Sequence, residues 1–207
     1  MHGDCLERMR EIESGTVDMI LCDLPYGTTY CSWDTVISFE PLWAEYERVI
    51  KPNGAIALFS AQPFTAVLAC SNLKLFRYEW IWEKPNATGF LNAKKQPLRS
   101  HENILIFYKS QPTKKKKKTF GHERKTAKKK VISSEHYGKQ LSVKDYYSTE
   151  RYPRSVQVFS SDKQKQALHP TQKPVSLCEY FIRTYTNVSE TVLDNTMGSG
   201  TTGVACV

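Results

Sequence analysis

The sequence predicts an α/β protein whose sheet is mostly parallel and covered by helices. Three observations predict it. Short apolar runs of strand-forming type, such as Val17–Cys22 and Ala55–Phe59, alternate with stretches of helical period, such as Phe39–Ile50. Most of these segments are bounded by Gly, Pro, Asn or Asp. A hydrophobic content of 40% over 207 residues supplies one sizeable core.

Taken in order, Gly3–Met9 reads as a turn entering a short helix, and Ser14-Gly15 breaks it. Val17–Cys22 is the first strand. It runs into Asp23-Leu24-Pro25-Tyr26-Gly27, a rigid turn at a strand end, where ligands of open α/β sheets sit. The turn offers an acidic acceptor, an aromatic face and backbone carbonyls, a set suited to gripping a planar amino group. Residues 27–38 form a polar loop containing Trp33. Phe39–Ile50 reads as a helix, with Pro41 in its first turn and Leu42, Tyr46, Val49 and Ile50 on one face. Lys51-Pro52-Asn53-Gly54 is expected to stop it. Ala55–Phe59 is a strand, Pro63–Leu73 a helix, and Tyr78–Lys84 and Asn103–Tyr108 are further strands.

From Lys109 to about Leu168 no regular period survives, and the stretch reads as an insertion rather than a continuation of the sheet. Lys109–Lys130 holds eleven Lys/Arg against the single acid Glu123. The chain as a whole carries +8, so its basicity belongs to this segment. Such a segment favours a polyanion, while a solvated loop is the plainer alternative. The interspersed Tyr137, Tyr146, Tyr147, Tyr152 and Phe159 suit base stacking or a small private core equally well. Regular structure returns with a helix over Pro174–Thr186 and a strand at Thr191–Leu193.

Two further motifs carry chemistry. The strand at Thr191–Leu193 ends in Asp194-Asn195-Thr196-Met197-Gly198-Ser199-Gly200-Thr201-Thr202-Gly203, after which a helix opens. Gly198 and Gly200 let backbone approach a ligand closely, and the helix start offers free amides to an anion. A lone G-x-G marks a tight turn more often than a cofactor site. Upstream stands His169-Pro170-Thr171-Gln172-Lys173-Pro174, which alone would be a proline-rich helix start with an exposed lysine.

Together, the Asp-Leu-Pro-Tyr turn, the HPTQKP run and D-x-x-x-G-S-G-T-T resemble the adenine-N6/cytosine-N4 DNA methyltransferases that use S-adenosylmethionine. Their order, catalytic motif before cofactor motif, resembles the beta class. Gly3-Asp4-Cys5 and Trp82-Glu83-Lys84 through Tyr108 extend the likeness to most of the chain outside the insertion.

The resemblance implies a circularly permuted, Rossmann-like methyltransferase sheet, mostly parallel with one antiparallel strand. It implies a catalytic half at 1–108, a basic target-recognition insertion at 109–168 and a cofactor-binding part at 169–207. It also implies roles. Asp23 and the Leu24 carbonyl would accept hydrogen bonds from the target amino group, Pro25 would stiffen the turn, and Tyr26 would stack on the extruded base, most readily adenine. Lys173, Thr201 and Thr202 would hold the methionyl carboxylate of S-adenosylmethionine. Asp194, Asn195, Thr196, Gly198, Ser199 and Gly200 would shape the cofactor loop, with Asp4 and Cys5 near the adenosyl group and Asp23 beside it. Double-stranded DNA is the implied partner, with a homodimer and a cognate restriction endonuclease as further partners, in the cytoplasm of a bacterial or phage-infected cell.

The match departs in places. Leu24 replaces a proline, and Asn195 and Thr196 replace a proline and an aromatic. The family's strand before Gly-Asp-Cys and its segment after the glycine loop are expected to be missing, leaving one sheet edge open. That expectation makes a catalytically inactive, truncated DNA-binding remnant the alternative function. An RNA or protein amino-group methyltransferase is a third reading, disfavoured by the motif order and the long basic insertion. The six scattered cysteines form no C-x-x-C pair, so a zinc site is not expected and reduced thiols are. No apolar run reaches membrane-spanning length, and the N-terminus lacks the plan of a signal peptide.

Overall fold

The computed structural model describes residues 1–113, 118–127, 133–134, 138–139, 146–161 and 172–207. The chain forms two compact units, Met1–Lys115 with Ser155–Val207, and Lys116–Arg154. Leu168, His169, Pro170, Thr171, Tyr137, Lys114–Lys117 and Lys128–Lys130 lie outside the described residues.

The first unit begins with α1 (Cys5–Met9), β1 (Val17–Asp23), α2 (Phe39–Val49), β2 (Ile50–Ser60), α3 (Phe64–Ser71), β3 (Phe76–Thr88) and β4 (Arg99–Phe107). The second unit holds β5 (Lys125–Ala127), β6 (Ser133–Ser134), β7 (Gly138–Lys139) and β8 (Tyr146–Ser148). The first unit resumes with β9 (Val156–Val158), α4 (Val175–Tyr185), β10 (Val192–Leu193) and α5 (Thr201–Ala205).

Six strands form one sheet in the order β10-β1-β2-β4-β3-β9. β1 runs parallel to β10 and β2, and β3 runs parallel to β9. β4 is antiparallel to both of its neighbours, so the sheet is mostly parallel with one reversed strand, as the family resemblance implies.

Alternation along β1 explains why its apolar run is unbroken. Val17, Ile20 and Cys22 join one core cluster, and Met19 and Leu21 join the other. The first cluster is completed by Leu42, Trp43, Tyr46 and Val49 of α2 and Phe64 and Leu68 of α3. The second is completed by Leu177, Cys178, Phe181, Ile182 and Tyr185 of α4. A strand covered on both faces reads as continuous hydrophobicity.

Two segments differ from the sequence expectation. Lys51–Gly54 does not merely end a helix: α2 stops at Val49, and β2 already includes these residues. They bulge between the pairs Val17↔Ile50 and Met19↔Ala55. The irregular stretch after Lys109 also returns to the sheet, because Val156–Val158 pairs with Ile81–Glu83. Three residues are too short to show a period. Phe159 packs against the second core cluster, and its carbonyl accepts from Trp82 Nε1 at 2.8 Å.

In the second unit β5 pairs antiparallel with β8, and β6 with β7. Tyr147 and Tyr152 are exposed, with Arg124 over the first ring at 4.6 Å and Lys118 over the second at 5.3 Å. These two exposed, cation-capped rings are not part of a private core, and the side chains of Tyr137 and Tyr146 lie outside the described residues. No helix among the described residues is long and apolar enough to cross a membrane.

Candidate active site

β1 delivers Asp23 to its C-terminal end, and the chain turns away through Leu24 and Pro25. The Leu24 side chain is buried in the first core cluster. Core packing thus anchors the turn where a proline ring is absent. The Tyr26 ring stacks on Phe64, centroids 5.0 Å apart, and its hydroxyl donates to Asp23 Oδ1 at 2.8 Å. Burial, then Asp23 and Glu102, push the Tyr26 phenol well above its ordinary pKa, so it stays a donor.

Asp34 orders the loop that follows. Its carboxylate accepts from the amides of Gly27 (2.9 Å), Thr28 (2.9 Å) and Thr29 (2.8 Å), and from the Thr29 hydroxyl (2.8 Å). Desolvation opposes ionisation, but these donors outweigh it and hold the carboxyl below its usual range. Gly27, at φ +67°, makes the turn possible.

Lys173 precedes α4 and is buried. Its Nζ lies 2.8 Å from Asp23 Oδ2 and 3.2 Å from Glu102 Oε2, while Lys84 pairs with Glu102 Oε1 at 2.5 Å. Burial disfavours the Lys173 ammonium, but Asp23 and Glu102 overcome it and raise the pKa. Burial likewise disfavours the Glu102 carboxylate, but Lys173 and Lys84 overcome it and lower the pKa. The four side chains form a linked row of alternating charge.

The glycine loop docks onto the end of β1. The Thr196 hydroxyl donates to the Asp23 carbonyl at 2.9 Å and lies 2.8 Å from Cys22 Sγ. Asn195 Oδ1 accepts from Tyr46 Oη at 2.7 Å and Cys22 Sγ at 3.1 Å. Asp194 accepts from the Thr196 amide at 3.1 Å, and burial raises its pKa. Gly198 and Gly200 have φ of +50° and +78°, and Gly200 caps α5.

Two cavities meet here. One of about 750 Å³ is lined by the Asp23–Tyr26 turn, Trp33, Trp82, Lys84, Arg99, Glu102 and Lys173. A small cleft of about 40 Å³ is lined by Asp23, Phe59, Lys173, Asp194, Gly198, Ser199, Thr201 and Thr202. Asp23, Gln172, Lys173 and Gly198 belong to both walls.

Most of the expected site residues therefore converge. Thr196 lines the larger cavity. Asp4, Cys5, Asn195 and Gly200 line neither of the two. Asp4 caps α1, accepting from the amides of Leu6 at 2.9 Å and Glu7 at 3.2 Å. Lys84, Glu102 and Asp34 were not anticipated as site residues. Lys84 shares strand parity with buried Trp80 and Trp82, and Glu102 with Ile104 and Ile106, so inward-facing charges were a readable signal. Asp34 had none, because its role depends on a loop folding back seven residues to Gly27.

The sequence profile of the N6/N4 DNA methylase family matches residues 17–207. The chain belongs to this family. Among its relatives, the DNA adenine methyltransferase YhdJ of Escherichia coli K12 is 27% identical, aligned over 100% of this chain and 74% of its own. The Type II methyltransferase M.HpaI of Haemophilus parainfluenzae is also 27% identical, over 99% of this chain and 65% of its own. The fold matches the M1.HpyAVI–SAM complex at a TM-score of 0.62, with 24% identity over 100% of this chain and 86% of that one. It matches the cytosine-N4-specific PvuII DNA methyltransferase at 0.66, with 16% identity over 98% and 75%. This DNA methylase thus has a sequence relative named for adenine and a fold neighbour named for cytosine N4.

Proposed function

We propose that the chain transfers a methyl group from S-adenosylmethionine to the exocyclic amino group of an extruded DNA base, adenine N6 in the first instance. The carrying observation is the position of Asp23 on the wall common to both cavities, with the Leu24 backbone and Tyr26 beside it. The larger cavity has room for a nucleobase, and the cleft supplies the Lys173 ammonium, the Thr201 and Thr202 hydroxyls and the Asp194 carboxylate. That donor set fits the carboxylate and ammonium of an amino acid, so these residues would hold the methionyl end. The bound donor supplies an electrophilic methyl group and retains the electron pair of the broken carbon–sulfur bond.

Asp23 and the Leu24 carbonyl would accept the two amino hydrogens, leaving the nitrogen lone pair free for the methyl carbon; one amino proton would then pass to the Asp23 carboxylate or to water. Tyr26 would turn its ring to the base. An initial Asp in the turn and a relative named for adenine support adenine as the target. Within this reading, 1–108 is the catalytic half, 109–168 recognises the target and 169–207 binds the cofactor. The same reading assigns a homodimer, a cognate restriction endonuclease and a cytoplasmic setting.

One observation favours a second reading, DNA binding without transfer. Both Asp23 oxygens are already engaged, by Tyr26 and by Lys173. Methyl-labelled S-adenosylmethionine and mixed-sequence DNA discriminate the two, with nucleoside analysis of the product and Asp23→Ala as control. N6-methyladenine formed by the wild type and lost in the control is expected. Binding without label transfer would support the second reading instead, and N4-methylcytosine would reassign the base.

A further inference from the structure

The β3–β4 hairpin ends in Gly89-Phe90-Leu91-Asn92-Ala93-Lys94-Lys95, where Phe90 is 82% exposed and Leu91 97%. This is no frayed loop. The Asn92 amide donates to the Gly89 carbonyl at 3.0 Å, Ala93 to Phe90 at 3.0 Å, and Lys95 and Gln96 to Asn92 at 2.9 and 3.0 Å. Gly89 takes φ +91° to start the turn. The backbone therefore holds two adjacent large apolar side chains in water, an arrangement that calls for a partner.

Two features say what that partner is. The stem of the same hairpin, through Thr88 on one strand and Arg99 on the other, forms a wall of the large cavity. The tip thus continues from the wall of the site that would receive the base. From Pro85 to His101 the chain carries Lys94, Lys95 and Arg99 and no acid. An apolar tip on a purely basic hairpin matches a polyanion with an apolar interior, which is a base stack between two phosphate backbones.

We propose that Phe90 and Leu91 enter duplex DNA beside the target nucleotide and hold open the space the extruded base leaves. This rests on the reading that the chain acts on a base taken out of a duplex. Extrusion forfeits stacking on both sides of the target, and apolar side chains inserted at the step replace part of it while the lysines grip the flanking phosphates.

The test is the double variant Phe90→Ala/Leu91→Ala in the full chain, assayed for label transfer to unmethylated plasmid DNA, native and heat-denatured. Unchanged melting of the variant is expected, since both side chains are exposed. Transfer to native duplex falls by about tenfold or more, and transfer to denatured strands stays within about twofold. Equal loss on both substrates, or no loss on either, overturns the proposal; the latter result would leave the tip to a protein partner or a membrane. A second readout needs no catalysis. A random duplex pool with 2-aminopurine replacing some adenines should brighten on binding the wild type, and at most about half as much on binding the variant. Brightening that the variant loses supports the wedge even if no methyl is transferred, which would sink the enzymatic reading alone. Equal brightening, or none, overturns the wedge.

Discussion

Lys173 is ion-paired to Asp23, Nζ to Oδ2 at 2.8 Å, so a residue expected to hold the cofactor also grips the residue expected to hold the base. Glu102 shares the same ammonium, and Lys84 steadies Glu102 from the other side. Charges buried this deeply are tolerated only as a complete set, and removing one member leaves the rest uncompensated.

Glu102→Gln is therefore expected to cost about 3 kcal/mol of stability at neutral pH, measured by urea unfolding. The dependence on pH follows from the direction of each shift. Glu102 is lowered from 4.5, so its contribution is present above that value and fades as pH falls through the folded pKa. The stability gap between wild type and Glu102→Gln should narrow in acid. Lys173 is raised from 10.5, so its contribution is full below that value and fades as pH rises through the folded pKa. The gap for Lys173→Met should narrow only in strong alkali. A gap that narrows near neutrality would rule out this row of charges.

Asp34→Ala removes the acceptor of three amides and one hydroxyl, with an expected loss of about 3 kcal/mol. The effect should be local. Hydrogen exchange at Gly27, Thr28 and Thr29 should accelerate at least about tenfold, while β2 keeps its protection. In the wild type the same amides should lose protection as pH falls below about 3.8, since the folded Asp34 pKa lies beneath that value.

Thr196→Val keeps shape and removes the hydroxyl that ties the glycine loop to the Asp23 carbonyl. We expect about 1–2 kcal/mol of destabilisation and weaker S-adenosylmethionine binding by calorimetry. Unchanged binding would separate the loop's docking from its ligand contacts.

Gly54→Ala should be among the costlier single-atom changes in the sheet. A Cβ there would stand 2.7 Å from the Ile50 side chain and 2.8 Å from the Asp18 carbonyl, which is backbone and cannot yield cheaply. A loss of about 2–3 kcal/mol is expected in thermal or urea unfolding. Asp18 is itself tied to Lys51 at 2.6 Å and to the Thr191 amide at 2.9 Å. A backbone shift at the bulge would therefore reach the start of β10.

Much of this was legible because its cause is local. Val17–Cys22 announced a strand buried on both faces, and Asp23–Tyr26 a turn at its end. What escaped depends on distance along the chain. The register that sets Trp82 opposite Glu102 brings Lys84 to Glu102, and Lys173 reaches the same carboxylate from about seventy residues further along, so no short window contains the row. Val156–Val158 escaped because three residues cannot display alternation. Asp4 has a local role as well, since an Asp before a short helix caps it whatever else the motif implies.

The wall shared by the two cavities has a thermodynamic consequence. Lys173 presents one positive charge to both chambers, and Asp23 one negative charge. Any occupant of the cleft that draws the ammonium away from Asp23 leaves that carboxylate a better acceptor for an occupant of the larger chamber. Linkage makes the traffic reciprocal, so each occupant changes the affinity for the other by the same factor. Donor and base would then bind as a cooperative pair, whichever arrives first, coupled through a single shared ammonium.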